Sequence, residues 1–187
     1  MKNKILWLII GLTITLTATA QNRYFTKTGH IEFYSHTTVE DIKAVNDQVT
    51  SFVDIETGDV VFSVLNRSFQ FALPLMQEHF NENYMESEKF PKSSFEGKLI
   101  DLKSIDLTKN GKYPVNVSGK LTIHGVTKEI KATGYVTIDH DKITGESVFA
   151  VIPEDYGIKI PGVVKEKFAE SMKVTVQMNY QKYIPKK

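Results

Sequence analysis

Few residues in this chain have types and spacing that could support chemistry. There are five histidines, His30, His36, His79, His124 and His140, and no cysteine. Without thiols, thiolate nucleophiles and sulfur-based metal sites are excluded. Glu78, His79 and Glu82 fall within about one helical turn and are the nearest approach to a metal-binding set. A zinc helix of the His-Glu-x-x-His kind needs two imidazoles one turn apart, and no pair of these histidines has that spacing. His79 is therefore expected at a helix surface or a pocket rim. His124, just before Gly125, is expected at a partly exposed strand end. Asp155-Tyr156 sets a carboxylate beside a phenol. General acid–base catalysis needs such groups to converge on one substrate atom. A lone pair followed by Gly157 reads better as a turn with Tyr156 packed inward. No Gly-x-Ser-x-Gly elbow and no Gly-rich phosphate loop occurs. The expectation is a protein with no catalytic residue, no metal ligand and no cofactor.

The elements that would position these groups are strands. Apolar and polar residues alternate with period two over 115–124, 130–139 and 172–181. Val115, Val117, Leu121 and Ile123 share one face of the first, and Asn116, Ser118, Lys120 and Thr122 share the other. One-sided burial of this kind suits antiparallel sheet. Further strands are expected over 23–28, 30–35, 49–55, 60–65, 95–101 and 143–151. Turn residues separate them: Thr57-Gly58-Asp59, Asn110-Gly111-Lys112, Gly125, and Asp139-His140-Asp141-Lys142. Short strands at regular spacing imply an all-β sandwich or barrel. Two stretches break the pattern. Residues 73–85 read as a helix, with Pro74 in the first turn and Leu73, Met76, Phe80 and Tyr84 on one stripe. A second short helix is expected over 163–169.

Small residues interrupt the apolar faces of several strands. Gly97 shares a face with Phe95 and Leu99, Gly119 lies between Val117 and Leu121, and Gly134 precedes Val136. Gly145 and Ser147 share a face with Ile143 and Phe149. A filled core would place larger groups there. Two readings are open. Strand glycines permit the bends that close a barrel, or their missing side chains leave an apolar cavity of the kind small closed barrels use to hold one ligand.

Length and charge set further bounds. Residues 1–20 have the layout of a secretory signal peptide, with Lys2 and Lys4 followed by an apolar run over 5–16 and the small residues Ala18-Thr19-Ala20. Residues 21–187 then form one domain, by the usual length prior. The chain carries a formal charge of +1. Nucleic-acid binding, which requires a basic stripe, is not expected. No second long apolar segment follows, so no integral membrane segment is expected in the mature chain, which would act as a monomer or homodimer in the periplasm or the external medium.

Three stretches resemble the YceI family of exported bacterial proteins. They are His79-Phe80 with Tyr84-Met85, Lys89-Phe90-Pro91 and Ser94-Phe95; the run from Val117 through Gly119, Leu121-Thr122-Ile123-His124-Gly125-Val126-Thr127 to Lys128; and Asp155-Tyr156-Gly157-Ile158. The resemblance implies a lipocalin-like, extended eight-stranded antiparallel β-barrel. It also implies that a long polyisoprenoid or similar lipid binds in an internal apolar channel. The chain departs from the family pattern at Met76-Gln77 and at Ile152-Pro153-Glu154, where many members carry basic or polar groups. That departure implies a different head group or an uncharged lipid. The expected apolar lining is Phe69, Phe71, Leu75, Phe80, Phe95, Leu121, Ile123, Val136, Phe149 and Ile158. The function expected is an exported carrier of an apolar, isoprenoid-like lipid. The alternative is a solid scaffold that acts through its surface in the envelope or under stress.

Overall fold

Where the alternation is strong, the chain forms strand. The computed structural model describes residues 22–100, 102–140 and 142–184. The leader expected over residues 1–20 lies outside the described residues. Nine strands form one antiparallel sheet: β1 (Arg23–His36), β2 (Asp41–Asp54), β3 (Asp59–Leu65), β4 (Gln70–Phe71), β5 (Lys92–Leu99), β6 (Gly111–Ile123), β7 (Val126–Asp139), β8 (Lys142–Val151) and β9 (Met172–Lys182). Pairing runs β1-β9-β8-β7-β6-β5-β3-β2, and β1 pairs with β2 again. That second pairing closes eight strands into the expected barrel, and closure leaves those strands no free edge. β4 is a two-residue addition beside Ala44 and Val45 of β2.

Local chemistry explains where strands begin and end. His124 and Gly125 both have positive φ, 50° and 76°. Two such central residues make the tight hairpin whose twist matches the flanking strands. His124 is therefore a turn residue and not the strand end expected of it. β1 is one strand where two were expected, because Gly29 sits in a register slip between Thr26 and Ile31. The Met178 sulfur occupies the space that a Cβ on Gly29 would need. β2 starts eight residues before the expected Val49. Its buried set changes phase, from Ile42, Ala44 and Asn46 to Val49, Ser51 and Val53. The buried amide of Asn46 also hides the pattern. Its Nδ2 donates to the Leu65 carbonyl at 3.0 Å and its Oδ1 accepts from the Gln48 amide at 2.9 Å, which removes the cost of an unpaired buried group.

The expected helix over 73–85 splits in two. Helix α1 covers Pro74–His79, and Phe80–Tyr84 continues it as a wider π turn. The Asn81 side chain donates to the Gln77 carbonyl at 2.9 Å, so that carbonyl is shared away from the regular ladder. The second expected helix is a 3₁₀ segment, Gly162–Lys167.

Strand direction separates the two ends of the barrel. Loop 37–40, the crossover 66–91, the 124–125 hairpin and segment 152–171 share one end. The Gly58 turn, segment 102–110 and the turn at His140 share the other. At this second end Val53, Ile55, Val60, Val115, Ile138 and Ile143 pack together, with Leu102, Ile105 and Leu107 against them. One end is thus plugged, and the other carries the long connections.

Candidate ligand-binding cavity

Inward-facing side chains of the eight barrel strands surround a cavity of about 540 Å³. That volume lies within the usual range of small-molecule pockets, roughly 300–1,000 Å³. The structure places Phe69, Phe71, Leu75, Phe80, Phe95, Leu121, Ile123, Val136, Phe149 and Ile158 all on its wall. Those from β5–β8 follow directly from the alternation, since one face of each strand points inward. The crossover residues arrive differently. Phe33, Phe69, Phe71 and Phe80 form one aromatic cluster, with centroids 5.1–5.7 Å apart. Edge and offset contacts at such distances are favourable, and here they fasten α1 and its π turn over the barrel.

Several wall residues were not anticipated. Ile31 and Phe33 of β1 line the cavity. Splitting that strand at Gly29 had left its inward face undefined. Val174, Val176, Met178 and Tyr180 of β9 also line it, and the alternation of β9 already contained that signal.

The small residues resolve into two roles. Gly97 and Gly119 face each other across β5 and β6. A Cβ on Gly119 would overlap the Glu96 carbonyl and the Gly97 backbone, and one on Gly134 would overlap the Glu146 carbonyl. These glycines allow adjacent backbones to approach closely, which is the bending role. At Gly145 the nearest obstacle is the Tyr180 ring at 3.3 Å, and Gly145 and Ser147 lie on the cavity wall. There the missing side chain makes room for the Tyr180 ring rather than for a neighbouring backbone.

The interior holds few polar groups; Tyr180, Ser51 and Asn66 have partners, whereas Asn81 Oδ1 and Ser87 Oγ in the crossover are buried without one. Burial pushes the Tyr180 phenol up to about 12. Its hydroxyl lies 2.8 Å from Ser51 Oγ, which donates to the Val61 carbonyl at 3.0 Å. Asn66 donates to the Phe90 carbonyl at 2.7 Å and accepts from Ser93 Oγ at 2.9 Å. At the mouth, Lys167 Nζ lies 3.3 Å from Glu40 Oε2, and His79, exposed, is also on the cavity wall.

The three recognisable stretches meet beside this mouth. β7 and β8 pair only from Gly134–Ser147 toward the closed end. Beyond that point the wall is completed by the segment after β8, with Pro153 and Ile158 on the cavity side. Tyr156 is buried in a 3₁₀ turn of that segment, Pro153–Tyr156, and burial raises its phenol above the ordinary value, helped by the Asp155 charge. Lys128 Nζ binds Asp155 at 2.7 Å. His124 has only 12% of its side chain exposed. Its Nε2 lies 2.8 Å from Glu86 Oε2 and its Nδ1 3.3 Å from the Tyr156 carbonyl, under the Phe90 ring. Asp155 and Tyr156 are thus engaged in structure and do not converge on the cavity. Among the described residues, no three of His, Asp and Glu stand together as a metal-binding group. No described helix is long and apolar enough to cross a membrane.

Fold and cavity together define a small antiparallel barrel with an apolar interior cavity. The YceI-like domain model matches residues 15–180, and the chain belongs to that family. A polyisoprenoid-binding domain from Saccharophagus degradans, described as implicated in plant cell wall breakdown, superposes with a TM-score of 0.75 at 15% identity, covering 87% of this chain and 99% of that one. BcnA of Burkholderia cenocepacia gives 0.66 at 13% identity, over 80% and 94% of the two chains. The Campylobacter jejuni YceI protein gives 0.50 at 17% identity, over 96% and 98%. At such identities these likenesses concern the fold. A comparison with curated proteins finds no match.

Proposed function

We propose that this chain is an exported binding protein that holds an apolar, isoprenoid-like chain inside its barrel and catalyses no reaction. The observation that carries the reading is the 540 Å³ apolar cavity, plugged at one end and bordered by the crossover at the other. Removing a hydrocarbon chain from water contributes about 25 cal/mol per Å² buried, before ordering costs. A solid scaffold would instead fill its interior. The ten wall residues anticipated from sequence are the proposed ligand contacts. The polyisoprenoid-binding domain of the same fold supports the ligand class, and the leader-like residues 1–20 support export. Met76 and Pro153 put apolar groups on the wall near the mouth, where the family pattern carries polar ones. We infer an uncharged head group, or one that Glu40, Lys167 and His79 can meet at the rim.

The test is native mass spectrometry of protein recovered after export, followed by solvent extraction and by displacement of a fluorescent polyene fatty acid with geranylgeraniol. A co-purifying lipid, or saturable displacement at one site per chain, is the expected result. Protein that arrives empty and takes up neither probe would sink the reading.

A further inference from the structure

Three segments border the mouth, and each exposes large apolar side chains. Val39 on the β1–β2 loop is 53% exposed, Leu73 and Leu75 at the start of α1 are 55% and 60%, and Val163 at the tip of the 3₁₀ segment is 89%. Single exposed apolar residues are ordinary, but several around one opening mark a contact surface. Each segment also contributes to the cavity wall, through Glu40, Met76 and Val164 respectively. Leu73 and Leu75 themselves line the cavity, and Val39 and Val163 adjoin the lining residues Glu40 and Val164 in sequence. The segments are also tied together. Lys167 binds Glu40, and the Tyr84 and Phe168 rings lie 5.3 Å apart.

We propose that this rim docks the protein on the surface of a zwitterionic lipid bilayer, so that a chain passes between membrane and cavity without crossing water. The inference rests on the apolar-chain reading above. Two features favour a bilayer over a protein partner or a second copy. The charges near the rim are mixed in sign. Lys159, Lys165 and Lys167 are accompanied by Glu166 and Glu170, while Glu78 and Glu82 lie on α1 and its π turn. No single-sign patch is present to steer a charged partner, so attraction comes from apolar contact. The opening must also face a medium in which a long hydrocarbon dissolves, because release into water would expose the whole chain. Burying a few apolar side chains at the boundary of head groups and acyl chains is the usual mode of interfacial binding.

Flotation of the mature chain with phosphatidylcholine vesicles tests this. The wild type is expected to float with the vesicles at low and high salt alike. Val39→Asp and Val163→Asp, which do not line the cavity, should each lower partitioning about tenfold, as expected for withdrawing one apolar side chain. Both should still take up the polyene probe, and release it to geranylgeraniol, as the wild type does. Val148→Asp, on the outer flank of β8 and 54% exposed, should leave flotation unchanged. A wild type that stays unbound, or an equal loss from Val148→Asp, overturns the proposal. So does a change in sedimentation mass of the vesicle-free Val39 or Val163 variants, which would make the rim an interface between copies. Probe uptake without flotation defeats the docking surface alone. Flotation without uptake defeats the cavity reading.

Discussion

At the closed end of the barrel, Val53, Ile55, Val60, Ile138 and Ile143 pack directly against one another and against the 102–107 segment. At the mouth, four phenylalanines, a broken helix and a 3₁₀ segment leave a wall around empty space. Both ends are apolar, and both are built from the same alternating strands. They differ in what covers them. A short plug meets the strand ends at one side. At the other, the long crossovers arch over the interior, meet through Tyr84 and Phe168, and are tied to the neighbouring loop, turn and strand through Lys167–Glu40, His124–Glu86 and Lys128–Asp155. The difference teaches that one end is sealed by directly packed side chains, of which Val53, Ile55, Val60 and Ile143 also line the cavity, while the other is covered by crossing segments. The closed end should set the free energy of folding, and the mouth should set the exchange of ligand.

Four substitutions would break or sharpen that contrast. Ile138→Ala removes a buried side chain at the closed end that does not line the cavity. It should cost about 3 kcal/mol, read from the urea midpoint, with ligand affinity unchanged. A matching loss of affinity would mean the two ends are coupled. Asp54 is the next largest. Burial opposes its ionisation, but the Arg23 guanidinium at 2.9 Å and the Thr57 and Glu56 amides more than offset this and hold the carboxyl below its usual range. Asp54→Ala should cost about 2 kcal/mol near neutral pH. A carboxyl with a lowered folded value contributes fully above its ordinary value of about 4 and loses that contribution as pH falls through the folded value. The gap between wild type and variant should therefore close in acid, which urea titrations below pH 4 would show. Phe80→Ala, at the mouth, should speed ligand release about tenfold, equivalent to about 1.4 kcal/mol. Stopped-flow displacement measures this, and an unchanged rate would argue that the aromatic cluster only supports the fold.

The smallest effect belongs to Tyr180→Phe, at about 1 kcal/mol, because Ser51 keeps its bond to the Val61 carbonyl. The folded phenol titrates near 12 against about 10 when unfolded. Its contribution is complete below about pH 10 and is lost as pH rises through the folded value. An alkaline stability loss between about pH 10 and 12 that is smaller in the variant than in the wild type, read by urea titration, is the expected signature.

Much of this was legible in the chain. Alternation over 115–124, 130–139, 143–151 and 172–181 defined which side chains share a face, because successive strand residues must point to opposite sides. The positions of Phe95, Leu121, Val136 and Phe149 on one cavity wall follow from that rule. Turn chemistry at Gly58 and Gly125 set the hairpins. Positions where two segments meet were not legible. His124 looked like a strand end, yet its backbone belongs to the turn and its side chain lies under Phe90. Asn46 lies ahead of the strand expected from Val49, yet a phase slip in β2 buries it against Leu65.

The sequence by itself determined an antiparallel β protein, the inward faces of its strongest strands, the absence of thiol chemistry and the family to which the chain belongs. These depend on local periodicity, on turn conformations and on residue identity. Only the tertiary structure decided that β1 closes onto β2, that Gly97, Gly119 and Gly134 serve close backbone approach while Gly145 makes room for the Tyr180 ring, and that one end is plugged and the other bordered by exposed Leu75 and Val163. Those outcomes depend on register and on which distant segments share a neighbourhood, and a period of two along one strand carries no information about either.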